Sequence, residues 1–118
     1  MMSREPEAAD LALTPLALER GGTASQPVIV ARGEIDVATS PLLRSELASV
    51  LAQSPGEVTL DLSGVSFVDS SGLGVLVGAL KRLREAGGER FVIVGAQDAV
   101  RKIFTITGLN TLFELSEG

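Results

Sequence analysis

Residues Val65 to Gly74 read Val-Ser-Phe-Val-Asp-Ser-Ser-Gly-Leu-Gly, and they join a strand to a helix. On the amino side, Val58, Leu60 and Leu62 alternate with Thr59 and Asp61 before Ser63 and Gly64, the period of a β-strand. On the carboxyl side, Leu73, Leu76, Val77, Leu80 and Leu83 recur at helical spacing, and Gly87 or Gly88 supplies a C-terminal cap. Asp69 and Ser70 are both good N-cap residues for that helix. A strand that passes through a short polar turn into a helix is where open α/β sheets place their functional loops.

The neighbouring segments repeat the alternation. Upstream, Ser40 as N-cap and Pro41 at the first helical position open a helix whose apolar stripe is Leu43, Leu47, Val50 and Leu51. Before it, Val28 to Ala31 form a β-branched strand ending near Gly33, and Gly21 and Gly22 mark a turn. Leu11, Leu13, Leu16 and Leu18 around Pro15 read as an edge strand, where proline is tolerated, and Met1 to Asp10 read as a flexible tail. Downstream, the apolar run Phe91 to Val94 predicts a strand covered on both faces. Val100, Ile103, Phe104 and Thr107 predict a helix stopping at Gly108, and Leu112 to Leu115 a last strand or extended tail. The order implies an α/β fold, one domain over residues 11–118, with helices packed through right-handed crossovers on a mixed, partly parallel sheet.

Composition narrows the chemistry. The chain has 118 residues with no cysteine and no histidine, which removes disulfides, Cys/His zinc sites, cysteine nucleophiles and imidazole acid–base schemes. A formal net charge of −5 opposes binding to a phosphate backbone, and four phenylalanines as the only aromatic residues make a poor base-stacking platform, so nucleic acid is not expected as a partner. No apolar run reaches the length of a membrane span, and the polar, acidic start is unlike a secretory signal, so a cytoplasmic protein without membrane insertion is expected. The glycines of Gly72 to Gly78 do not fit the dinucleotide fingerprint, no Gly-Lys-Ser or Gly-Lys-Thr exists, and Ser70 lacks the glycine of a nucleophile elbow. No cofactor, metal or catalytic residue is expected. With no base near it in sequence, Ser70 is better read as a substrate hydroxyl than as a nucleophile.

Projected at 100° per residue, Ser70, Gly74, Gly78 and Lys81 share the helix face opposite the apolar stripe. A glycine within a helix costs about 1 kcal/mol relative to alanine, so two on one stripe suggest close approach. The approaching surface is either another molecule or, with the helix rotated, the protein's own sheet. Ser70 on the same stripe favours the first.

The segments FVDSSGLG at Phe67 to Gly74, GEID at Gly33 to Asp36 and AVRKIFTITGL at Ala99 to Leu109 resemble the anti-sigma-factor antagonists of the STAS family, in order and spacing from about Leu11 to Leu115. The resemblance implies a mixed sheet of four to five strands flanked by about three to four helices. It implies a switch protein that binds an anti-sigma factor, itself a serine kinase, and so frees a sigma factor for transcription. Ser70 would be the phosphorylated serine, with a PP2C-type phosphatase reversing the modification. The partner surface would comprise Asp36, Asp69, Ser70, Ser71, Gly72, Leu73, Gly74 and Gly78. Asp36 reads equally as a turn or helix-start residue, and Asp69 chiefly as the cap. The resemblance also admits an accessory subunit of a membrane transport system. A mean hydropathy of +0.33 leaves room for a weak homodimer.

Overall fold

A computed structural model describes residues 16–117. The expected tail over residues 1–10 and the part of the edge strand at Leu11, Leu13 and Pro15 lie outside the described residues. The elements are β1 (Leu16–Gly22), β2 (Pro27–Ile35), α1 (Ser40–Leu51), β3 (Glu57–Val68), α2 (Ser70–Glu85), β4 (Arg90–Val94), α3 (Asp98–Ile106), a 3₁₀ turn (Leu109–Thr111) and β5 (Glu114–Ser116). The five strands lie in chain order, with β1 antiparallel to β2 and every later neighbour parallel. The mixed sheet and three helices match the expected fold class.

Because β2, β3, β4 and β5 are added in one direction, right-handed crossovers place all three helices on one face of the sheet. That face holds the core. Ile29, Leu60, Ile93 and Phe91 from the strands join Leu43 and Leu47 of α1, Leu76, Leu80 and Leu83 of α2, and Phe104 of α3 in one cluster. Phe113 closes its end, meeting Phe91 edge-on at 5.1 Å and Phe104 at 5.8 Å. Among the described residues the opposite face carries no helix, and it presents Val28, Val30, Thr59 and Asp61 half-buried. Phe91, Val92 and Ile93 are all buried, as expected for β4; Val92 lies outside the main cluster, between Thr59 and Glu114 on the adjacent strands.

Several boundaries differ from the sequence reading for local reasons. Both β2 and β3 run past their glycines, because a register shift between Val30 and Arg32 and another at Gly33, where φ is +121°, absorb the irregularity and let pairing resume. Ser63 turns onto Asp61 Oδ1 through its amide (2.9 Å) and hydroxyl (2.7 Å), and the strand then continues to Val68. Gly21 and Gly22 finish β1, and the reversal falls on Thr23 to Gln26, closed by two backbone bonds of 3.2 Å. In α2 the buried stripe is turned relative to the expected one: Val75 and Ala79 are buried, whereas Leu73 and Val77 are only half-buried. The last strand begins at Glu114, not Leu112.

Candidate functional site

Ile35 and Val68 pair in register at the carboxyl ends of the parallel strands β2 and β3, so Asp36 and Asp69 leave the sheet side by side. The Asp69 amide donates to the Ile35 carbonyl at 3.0 Å, which fixes the start of α2 to the end of β2. Since Val65 to Val68 belong to β3 rather than to a connecting loop, Asp69 alone separates strand from helix. That single residue determines where the helix begins.

Asp69 has extended backbone, and its Oδ1 accepts from the amides of Ser71 (2.8 Å) and Gly72 (3.2 Å). It is the N-cap, as expected, and its carboxylate satisfies two amides that the helix itself leaves without acceptors. Ser70 follows as the first helical residue; it is exposed, and its hydroxyl makes no hydrogen bond to any described residue. Ser71 is half-buried. Gly72, expected on the partner surface, is instead buried, seated so closely on β2 and β3 that a Cβ would stand 2.5 Å from Ile35 Cγ2 and 3.0 Å from Val68 Cγ1. Leu73 divides its surface between core and solvent.

Gly74 and Gly78 are exposed, and a Cβ built on either meets nothing within 4 Å. Tight seating on the protein's own sheet therefore explains Gly72 and neither of these two. The stripe Ser70, Gly74, Gly78 opens to solvent along the length of α2.

Asp36 organises the adjoining turn. Its Oδ1 accepts from the Ala38 and Thr39 amides, both at 3.0 Å, and from the Thr39 hydroxyl at 3.1 Å. Its carbonyl accepts from Ser40 N–H at 2.7 Å, which moves the helix start: Thr39, not Ser40, occupies the N-cap. Thr39 is 2% exposed, and its Oγ1 also lies 2.8 Å from the Glu34 carbonyl and accepts from the Asp36 amide at 2.9 Å. The Asp-x-x-Thr spacing is the signal that identifies such a self-bonded turn. Beside it, Val37 and Leu42 are exposed apolar side chains at the site end of the molecule.

Among the described residues no three His, Cys, Asp or Glu side chains cluster to hold a metal ion, and no helix is long and apolar enough to cross a membrane. A cleft of about 410 Å³ lies between the β1–β2 hairpin and α1, at the end of the sheet remote from Ser70. Arg20, the one charged residue among the described residues lining it, is held by Glu46 at 2.7 Å.

A family model for the STAS domain matches residues 15–117. An anti-sigma-B factor antagonist of Staphylococcus aureus (strain NCTC 8325 / PS 47) is 37% identical over 86 residues, spanning 73% of this chain and 79% of its own. The crystal structure of an anti-sigma factor antagonist from Mycobacterium paratuberculosis aligns with a TM-score of 0.78 at 31% identity, covering 87% of this chain and 86% of that one. The antagonist SpoIIAA in its unphosphorylated form aligns at 0.73 and 26% identity, over 84% of this chain and 87% of its own. The phosphorylated form of SpoIIAA, a Bacillus cell fate determinant, aligns at 0.66 and 25% identity, over 84% and 90%.

Proposed function

The chain belongs to the STAS domain family, and from that premise we propose that it is an anti-sigma-factor antagonist, which binds an anti-sigma factor through the α2 surface from Asp69 to Gly78 and thereby releases a sigma factor. The observation that carries the reading is Ser70: an exposed, unbonded hydroxyl on the first turn of a helix whose next two turns present open glycines. In this reading the anti-sigma factor is also the serine kinase. It moves the γ-phosphoryl group of ATP to Ser70 Oγ while the hydroxyl proton passes to a base of the kinase. A PP2C-type phosphatase hydrolyses the ester and restores the binding form. In this reading the chain contributes the substrate hydroxyl, and the adjacent Asp69 carboxylate serves as the cap, its Oδ1 holding the Ser71 and Gly72 amides. Its place is the cytoplasm, with the sigma factor.

The switch follows from charge and space. Phosphoserine carries about −1.5 to −2 charges at neutral pH; the Ser71 and Gly72 amides are already capped by Asp69, so the dipole of α2 is what offsets the added charge, and on the exposed first turn the fold persists. The same group in the middle of a docked surface meets steric exclusion, the Asp69 carboxylate and the cost of desolvation. A loss of about 3 kcal/mol weakens binding more than 100-fold. The alternative, an accessory of a membrane transport system, is less supported, because the relatives described above carry antagonist names.

The test is phosphosite mass spectrometry on the protein isolated from its own cells, with Ser70 and Ser71 resolved by fragmentation. Phosphate on Ser70, together with capture of an anti-sigma factor by the unmodified form alone, is expected. A well-covered peptide without phosphate under growth and stress conditions would overturn the reading.

A further inference from the structure

We propose that the groove between α1 and α2 receives an α-helix of the anti-sigma factor that carries two carboxylates about two turns apart, a docking mode that rests on the antagonist reading. Both helices follow the carboxyl ends of parallel strands, so they run side by side in the same direction from the Ser70 end. The groove between them has a volume of about 170 Å³. Leu47 and Leu51 of α1 and Val75 and Ala79 of α2 form its apolar lining, and Gly74 and Gly78 leave its α2 edge without side chains. A groove lined at i, i+3 and i+4 spacing fits the side-chain ridge of another helix, and missing Cβ atoms let the two backbones approach closely.

Charge selects the occupant. Arg44 and Arg82 also line the groove, and neither takes part in an ion pair among the described residues; Arg20, Arg32, Arg90 and Arg101 are paired, while Lys81, Arg84 and Lys102 are unpaired like the groove arginines but lie outside the groove. Proximity to the end of α2 accounts for Arg82 in part, through the helix dipole. The same argument runs against Arg44, in the first half of an α1 whose opening turn holds no acidic residue. Two unpaired cations beside an apolar groove, on a chain of net charge −5, call for carboxylates from outside.

Spacing sets the separation of those carboxylates. Arg44 stands four residues into α1 from Ser40, and Gly74 four residues into α2 from Ser70, so Arg44 marks the end of the groove nearer Ser70. Arg82 lies eight residues beyond Gly74, or about 12 Å along the axis at 1.5 Å per residue. A phosphoryl group on Ser70, one turn above Gly74, would repel the carboxylate that reaches Arg44.

The experiment titrates the purified anti-sigma factor of the source organism, with ADP in place of ATP, into wild type, Arg82→Glu, Gly78→Leu and Ser70→Glu, each checked for folding by circular dichroism and unfolding midpoint. Arg82→Glu and Gly78→Leu are expected to weaken binding at least tenfold with the fold retained, and exchange of a carboxylate for lysine on the partner helix to restore the Arg82→Glu complex. If both variants bind within twofold of wild type while Ser70→Glu does not bind, the groove proposal falls and the antagonist reading stands. Loss in the groove variants with unaltered Ser70→Glu binding keeps the groove and removes Ser70 as the switch. A wild-type chain that binds no anti-sigma factor, or one whose groove variants abolish only its self-association, overturns the proposal.

Discussion

Gly72 and Ile35 are in direct contact across the junction of α2 with the sheet: a Cβ on Gly72 would stand 2.5 Å from Ile35 Cγ2, and Ile35 itself is wholly buried. Alanine there gains about 1 kcal/mol of helix propensity but has to displace a packed side chain. Forced overpacking costs about 1–3 kcal/mol. Gly72→Ala is therefore expected to lower stability, measured as a shift of the urea midpoint at unchanged slope.

The other two glycines of the helix should respond in the opposite sense. With no atom within 4 Å of a Cβ at Gly74 or Gly78, Gly74→Ala and Gly78→Ala remove backbone entropy from the unfolded chain without a clash. Each is expected to raise stability by about 0.5–1 kcal/mol, read from the same denaturation curves. A decrease at either site would mean that the position is packed.

The two turns at the site differ in what their side chains hold. Asp69→Ala strips the cap from the Ser71 and Gly72 amides and is expected to cost about 1 kcal/mol, with Asp69→Ser recovering most of it. Thr39→Val keeps the shape but leaves the Asp36 amide without its side-chain acceptor and removes the hydroxyl from the Glu34 carbonyl, in a buried setting. An unsatisfied buried group costs about 1–3 kcal/mol, so Thr39→Val should be at least as damaging as Asp69→Ala in urea unfolding.

The architecture was legible because its signals are long. The stripe Leu43, Leu47, Val50, Leu51 is buried throughout, and the alternation of Val58, Leu60 and Leu62 identifies one face of β3. What stayed hidden depends on contacts between segments distant in sequence. Gly33 and Gly64 look like strand ends, yet the pairing of β2 with β3 carries both strands past them. At the site, Asp69 was readable as a cap, because capping is local. Gly72 was not separable from Gly74 and Gly78, because only the position of Ile35 distinguishes a seated glycine from an open one.

Arg90 ties β4 to both neighbours, with Nη1 2.9 Å from Glu57 and Nη2 2.5 Å from Glu114. The hydrogen bond from Arg90, reinforced by its charge, holds the Glu114 carboxyl below its ordinary range. A carboxyl whose folded value is depressed contributes stability above its unfolded value and loses it as pH falls through the folded one. The deficit of Arg90→Gln relative to wild type should therefore be present at pH 7, begin to shrink below about pH 4 and vanish in stronger acid, measured as the difference in urea midpoints. Because the groups are exposed, added salt at pH 7 should reduce the same deficit.

Phosphoserine at position 70 provides the sharpest test of a local switch. The residue is first in α2, where the dipole favours an anion by about 0.3–1 kcal/mol, while the neighbouring Asp69 carboxylate opposes it by like charge. The two effects are of similar size, so the modified protein should unfold within a few degrees of the unmodified one. Amide chemical shifts should change around Asp36 to Thr39 and Asp69 to Gly74, and remain fixed in β4, α3 and β5. If binding to the anti-sigma factor is lost with shifts confined in this way, charge and volume at the interface are sufficient to release it. Displacements reaching Phe104 and Phe113, at the far end of the core, would instead require a second conformation of the whole domain.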